Sequence, residues 1–246
     1  MREREYSVPF FLGDTMKKNL LVLTFAIAAL FASLYYYNAH TESQKLYNTQ
    51  EVTEIIEDTY NDVSGFSIDT PERQLIENQG GNPTYGEITI EAVSEILNDV
   101  PLTSRDLFFD LGAGVGKVCV QVALATPARA VGVELSPTRY QGAQKIKDEL
   151  LKRNILTDAS KLQFIEQNIV DTYVSNATVI FLCSTCFSDE LMRTLTNKMA
   201  HECKSGLRVI TLKELVPHDQ FTLVKTYELP MSWSQSSSVY LYKLIK

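Results

Sequence analysis

From Glu91 onward the chain switches repeatedly between two hydrophobic periods. Glu91–Val100 places Val93, Ile96, Leu97 and Val100 at helical spacing, an apolar stripe on a polar segment. A short apolar run, Asp106–Phe109, then enters a glycine-rich turn. Lys117–Thr126 reads as a helix and Ala130–Glu134 as a second strand. Ser136 is placed to cap a helix with Pro137 at its first position. Tyr140, Ala143, Ile146, Leu150 and Leu151 supply that helix's buried face. Leu162–Glu166 predicts a third strand. Thr178–Cys183 predicts a fourth, almost wholly apolar, as a central parallel strand covered on both faces should be. Ser188–His201 is the next helix and Leu207–Leu212 the fifth strand. Phe221–Leu229 and Val239–Leu244 are the last two strands. The gap between them is too short for a crossover helix, so they are expected to be antiparallel. The pattern predicts an α/β fold, a seven-stranded Rossmann-like sheet closed by an antiparallel β-hairpin.

The N-terminal part reads differently. Leu20–Tyr37 carries no charged residue, follows Lys17 and Lys18, and ends in Tyr35-Tyr36-Tyr37. This predicts a hydrophobic helix that anchors the chain in a membrane with one span and an aromatic girdle. Read from Met16 the same segment resembles a signal peptide without a clean cleavage site, and a buried helix is the third reading. The lysines favour a cytoplasmic N-terminus, whereas a cytosolic cofactor would favour the domain on that side; the side of the membrane stays open. The expected organisation is a leader over 1–40 with the anchor at 20–37, a juxtamembrane linker and helix over 41–84, and a catalytic domain over 85–246. Glu42–Asn61, with Leu46, Val52, Ile55 and Ile56, supplies the juxtamembrane helix.

Composition narrows the partners. The net charge of −7 does not predict strong nucleic-acid binding. A monomer is expected. Cys183 and Cys186 form a C-x-x-C, but zinc sites need a second pair or nearby histidines, and His40, His201 and His218 are scattered. No metal site is predicted, and reduced thiols at a strand end are the plain reading.

The chemistry lies in the turn. Asp110-Leu111-Gly112-Ala113-Gly114-Val115-Gly116-Lys117 follows the first strand, and Glu134 closes the second. Gly112, Gly114 and Gly116 let the backbone approach a ligand that any Cβ would block. Glu134 is placed to accept hydrogen bonds from both ribose hydroxyls. Lys117 stands where a dinucleotide fingerprint has its third glycine. The cofactor expected is therefore S-adenosyl-L-methionine, which has no pyrophosphate, with NAD the alternative.

Several segments together point further. Tyr85-Gly86-Glu87 precedes the first domain helix; Asp106–Gly116 runs into Gln121-Val122-Ala123; Gly132-Val133-Glu134 follows. Val179-Ile180-Phe181-Leu182 leads to Phe187, and Ser232-Trp233-Ser234 precedes Tyr240. Over about Tyr85–Leu244 this order resembles the disruptor-of-telomeric-silencing family, non-SET histone-lysine methyltransferases of the class I S-adenosylmethionine-dependent fold. The resemblance implies a cofactor site of Tyr85, Glu87, Asp110, Gly112, Gly114, Gly116, Lys117, Glu134 and Asn168. Tyr85–Glu87 would fold over the cofactor and Asp110 and Gly112 would meet its amino-acid end. It implies a lysine channel walled by Phe187, Trp233 and Tyr240, with Ser184 offering a hydroxyl at the transfer site. The chain departs from the family at Lys117, at Asn168-Ile169 and at Cys183-Ser184. The function expected is N-methylation of a protein lysine. A small amine or other non-histone acceptor, and a non-catalytic cofactor-binding module, remain the alternatives.

Overall fold

The computed structural model describes residues 44–246. The leader and the apolar run Leu20–Tyr37 lie outside the described residues. Among the described residues, no helix is long and apolar enough to cross a membrane.

Helix α1 (Thr49–Thr59) opens with a capping box in which Asn48 and Glu51 satisfy each other's backbone N–H groups. Its buried Val52 and Ile56 enter the main core, and the Tyr60 hydroxyl after it donates to the Val115 carbonyl at 3.1 Å. Helix α2 (Thr70–Asn78) is capped by Asp69 and buries only Ile76. Its Glu72 accepts hydrogen bonds from Ser136 Oγ and from Thr138 N at 3.0 Å. Those donors lie at the start of a later helix, where a carboxylate is favoured by the unpaired N–H groups and the dipole. The stretch expected as a linker is thus part of the fold: Gln44–Lys246 forms one compact unit.

Helix α3 (Ile90–Asp99) leads into strand β1 (Leu107–Leu111). Then follow α4 (Lys117–Ala125), β2 (Arg129–Glu134), α5 (Pro137–Lys152), β3 (Leu162–Glu166), β4 (Val179–Leu182), α6 (Asp189–Glu202) and β5 (Arg208–Thr211). The chain closes with β6 (Phe221–Met231) and β7 (Ser234–Leu244). These strands form one sheet in the order β3-β2-β1-β4-β5-β7-β6. The first five run parallel, β7 is antiparallel to β5, and β6 is antiparallel to β7. Successive strand residues face opposite sides, so Phe108 and Val179 join one core with α1, α3, α4 and α5. Phe109 and Ile180 join another with Met192, Leu195 and Met199 of α6.

The hairpin differs from the expectation. Instead of a long loop, β6 and β7 extend toward each other and leave only Ser232-Trp233 between them. The serine-rich stretch is strand because its side chains bond across the pair: Ser236 and Ser238 hydroxyls donate to Glu228 at 2.8 and 2.6 Å.

If α1 is integral to the domain, Ile56→Ala will lower the unfolding free energy in urea by about 2–5 kcal/mol, as for other buried large-to-small changes. A detached juxtamembrane helix would leave the urea midpoint unchanged.

Candidate active site

The carboxyl ends of β1, β2 and β4 open into a cavity of about 360 Å³, the position where open parallel sheets bind ligands. The turn after β1 is stapled to β2: the Gly112 and Ala113 N–H groups both donate to the Val133 carbonyl, at 2.9 and 3.0 Å. Gly112, Gly114 and Gly116 all have positive φ, of 96°, 55° and 86°. Gly114 carries a second demand, since a Cβ there would lie 2.5 Å from the Tyr85 ring.

Two carboxylates end the strands. Glu134 accepts from Gly114 N at 2.7 Å and from Ser136 N at 2.8 Å, one bond to each oxygen. Each oxygen keeps lone-pair capacity for a ligand hydroxyl. Burial raises its pKa, opposed by those two N–H donors and by the charge of Arg139. Asp110 is 2% exposed, and its Oδ1 has no hydrogen-bond partner. Burial, aided by the neighbouring charge of Glu134, pushes its carboxyl up to about 8. Such an unpartnered buried acid lining a cavity fits a ligand that brings a cationic or hydrogen-bond-donating group.

A roof covers this floor. The Tyr85 hydroxyl donates to Glu87 Oε1 at 2.8 Å, and Lys117 Nζ pairs with Glu87 Oε2 at 2.7 Å. Lys117 also lies 5.3 Å from the centre of the Tyr60 ring. The hairpin turn clasps the same loop from the other side. Ser232 N donates to the Glu87 carbonyl at 2.8 Å, and Glu87 N donates to Ser232 Oγ at 3.0 Å. The Trp233 ring lies on Gly86, where a Cβ would come within 2.4 Å of it.

Tyr85, Glu87, Asp110, Gly112, Gly114, Lys117, Glu134, Asn168, Phe187 and Trp233 all line this one cavity. Three expected residues do not. Gly116 packs instead against Phe164, with a Cβ there falling 2.4 Å from the ring, so it serves helix–sheet packing. The Ser184 side chain is fully buried, 2.8 Å from Thr211 Oγ1 and accepting Lys213 N at 2.8 Å. It ties β4 to β5 and turns its back on the cavity. Tyr240 sits well inside β7, paired with Thr211 and Thr226 and packed on the second core. At about 3.3 Å per residue it is roughly 20 Å of strand from Trp233. Asn168 faces the cavity with its amide engaged: Nδ2 donates to the Gln79 carbonyl at 3.1 Å, and Oδ1 accepts Val170 N at 3.1 Å.

Some of the site lay outside the sequence reading. Ile76, Gln79 and Gly80–Asn82 form a wall from α2 and its following loop. Arg139, 4% exposed, donates to the Gly65 carbonyl at 2.9 Å and the Pro83 carbonyl at 2.7 Å, with its guanidinium 4.8 Å from the Tyr85 ring centre. It fastens the roof to α5. The Asp69 cap three residues before Glu72 is the sequence signal that announces α2; Arg139 has no comparable one.

The Asp110 shift has a definite sign. Its folded pKa lies above the unfolded value of about 3.9, so the folded state holds an extra proton between the two and stability falls as pH rises from about 4 to about 8. Asp110→Asn removes that loss. Its melting temperature will exceed that of the parent near pH 8, by about 2–4 °C per kcal/mol regained, and converge with it near pH 4. Parallel Tm–pH curves for the two proteins would contradict this placement of Asp110.

The described fold has counterparts. An RNA methyltransferase from Salinibacter ruber, solved with S-adenosyl-L-homocysteine, superposes with a TM-score of 0.50 at 18% identity, covering 63% of this chain and 92% of that one. TrmN from Thermus thermophilus gives 0.50 at 14% identity, covering 62% and 48%. These likenesses carry the class I methyltransferase fold. In sequence, a histone-lysine N-methyltransferase, H3 lysine-79 specific, of Caenorhabditis elegans is 28% identical over 176 residues, 62% of this chain and 19% of that protein. The Emericella nidulans protein of the same description is 30% identical over 146 residues, 56% of this chain and 29% of that protein. The chain spans less than a third of the length of these relatives. The family model for the histone methylation protein DOT1 matches residues 66–243, from just before α2 into the last strand. Sheet order, glycine turn, clasped Tyr85–Glu87 loop and Trp233 hairpin all fall within that match, and the chain belongs to the DOT1 histone methylation family.

Proposed function

We propose that this chain is an S-adenosylmethionine-dependent methyltransferase that N-methylates a protein lysine, with histone H3 the first acceptor to test. The observation that carries the reading is the floor of the cavity, a buried unpartnered Asp110 beside Glu134 under the Tyr85–Glu87 roof. These residues fit the cofactor. Glu134 would take the ribose hydroxyls, Asp110 the cationic amino-acid end, and the Gln79–Asn82 wall with Asn168 and Ile169 would hold the base. When bound, S-adenosylmethionine supplies a methyl group already activated on a sulfonium.

The chain's own residues would then position and desolvate the acceptor. Phe187 and the Trp233 ring packed on Gly86 give the acceptor side of the cavity apolar walls. An amine must be neutral to attack, and low-polarity walls disfavour its ammonium form. Glu87, which would otherwise hold that ammonium, is occupied by Lys117 and Tyr85. The acidic balance of the chain, −7, suits a basic protein acceptor. Leu20–Tyr37 supports membrane anchoring of the full chain, with alkaline carbonate extraction of membranes as its test.

The full chain is to be incubated with methyl-labelled cofactor and, separately, free histone H3, nucleosomes and small amines. Label on a histone lysine, located by mass spectrometry, is the expected result. Label confined to small amines would overturn the protein acceptor, and cofactor binding without transfer would indicate a non-catalytic module. Glu134→Ala should weaken S-adenosylhomocysteine binding by about 1.5–3 kcal/mol, roughly 10- to 150-fold, the worth of hydrogen bonds to a charged acceptor. Unchanged affinity would remove Glu134 from the cofactor site.

A further inference from the structure

The C-x-x-C segment is used by none of the chemistry above, yet it forms part of the same cavity. Cys183 directly follows β4 and caps a single 3-10 turn, Ser184–Cys186. A 3-10 turn rises about 2.0 Å per residue. Cys183 caps the turn and Cys186 is its last residue, so one turn separates their Cα atoms by about 6 Å, within the range that a disulfide spans. Both line the cavity, while Ser184 between them points away into the core. Both are free thiols. Their environments differ. Cys186 is exposed and Cys183 is half-buried, its Sγ 3.9 Å from the Gly86 carbonyl of the roof loop. The other two cysteines are separate. Cys119 is fully buried in the main core, and the Cys203 thiol donates to the Val174 carbonyl at 3.3 Å.

We propose that Cys183 and Cys186 are a reversible dithiol–disulfide site whose oxidation state sets how well the roof closes over the cofactor cavity. The oxidant it takes is a small disulfide of the glutathione type. The exposed Cys186 thiolate attacks one sulfur of the disulfide and expels the first glutathione as its thiolate. Cys183 then loses its proton and attacks the Cys186 sulfur of the mixed disulfide, expelling the second glutathione. Two protein thiols are oxidised to one disulfide while one glutathione disulfide is reduced to two glutathiones. Burial, with the charges of Asp110, Cys186 and Glu87 adding, pushes the Cys183 thiol up to about 12. The order of the two attacks follows, because the thiolate is the nucleophile. Drawing Cys183 toward Cys186 withdraws its sulfur from the Gly86 carbonyl, the contact that joins the end of β4 to the roof.

The full chain is to be equilibrated in glutathione buffers of rising oxidised fraction, quenched with acid, and weighed intact. A mass loss of about 2 Da, reversed by excess reductant, is expected. Peptide mapping should place it between Cys183 and Cys186. Cys186→Ser should abolish the loss. No loss, a glutathione adduct on Cys186 that never closes, or a loss that persists in Cys186→Ser would each overturn the site. This readout is independent of methyl transfer and of cofactor identity. The coupling is tested by the thermal shift with S-adenosylhomocysteine, expected to be smaller in the oxidised protein. Equal shifts in both forms would overturn the coupling.

Discussion

Everything in the cavity answers to two carboxylates buried at neighbouring strand ends. Asp110 and Glu134 are carried there by β1 and β2, whose other residues are apolar except for Arg129 and Gly132. Removing a carboxylate from water is costly unless donors replace the water. Glu134 receives two backbone N–H groups and the nearby charge of Arg139. Asp110 receives none at Oδ1. The sheet therefore offers one satisfied acceptor and one unsatisfied acid side by side, an arrangement that a ligand with hydroxyls and a cationic group completes.

The roof is built so that this polar floor is not simply open to water. Besides the Cys183 contact to the Gly86 carbonyl, Tyr85, Gly86 and Glu87 are held at four points: Lys117 on the Glu87 carboxylate, Ser232 on the Glu87 backbone, Trp233 against Gly86, and Arg139 beneath the Tyr85 ring. Lys117 gains its meaning here. At a position that would be glycine in a dinucleotide turn, it supplies the cation that neutralises the roof's only carboxylate. The hairpin turn does the complementary work, and it reaches the loop because β6 and β7 run on to a two-residue connection.

Much of this was legible in the chain. The seven strands, the glycine turn and Glu134 declare themselves because each depends on local order: an apolar period, a positive φ, or a residue at the tip of a strand. The three-dimensional company of Trp233 and Gly86 was legible only as a resemblance. What escaped depends on contacts distant in sequence. Arg139 bonds to carbonyls of Gly65 and Pro83, and no periodicity encodes such pairs. Helix α2 buries a single apolar residue, Ile76, so its hydrophobic signal is weak although its Asp69 cap is plain. Tyr240 and Ser184 belong to the site only as the family resemblance implies. A long strand and a turn of the 3-10 kind carry their side chains elsewhere.

The central claim is that Asp110 and Glu134 form the floor of a cofactor site, with Asp110 awaiting a cationic group. Calorimetric titration of the full chain with S-adenosylhomocysteine at pH 7, in two buffers of different ionisation enthalpy, tests it most directly. The ammonium of the ligand will favour ionised Asp110, whose carboxyl stands at about 8 before binding. The account therefore predicts saturable binding with net proton release, seen as a buffer-dependent heat. Absence of binding, or binding with no proton released, would contradict it.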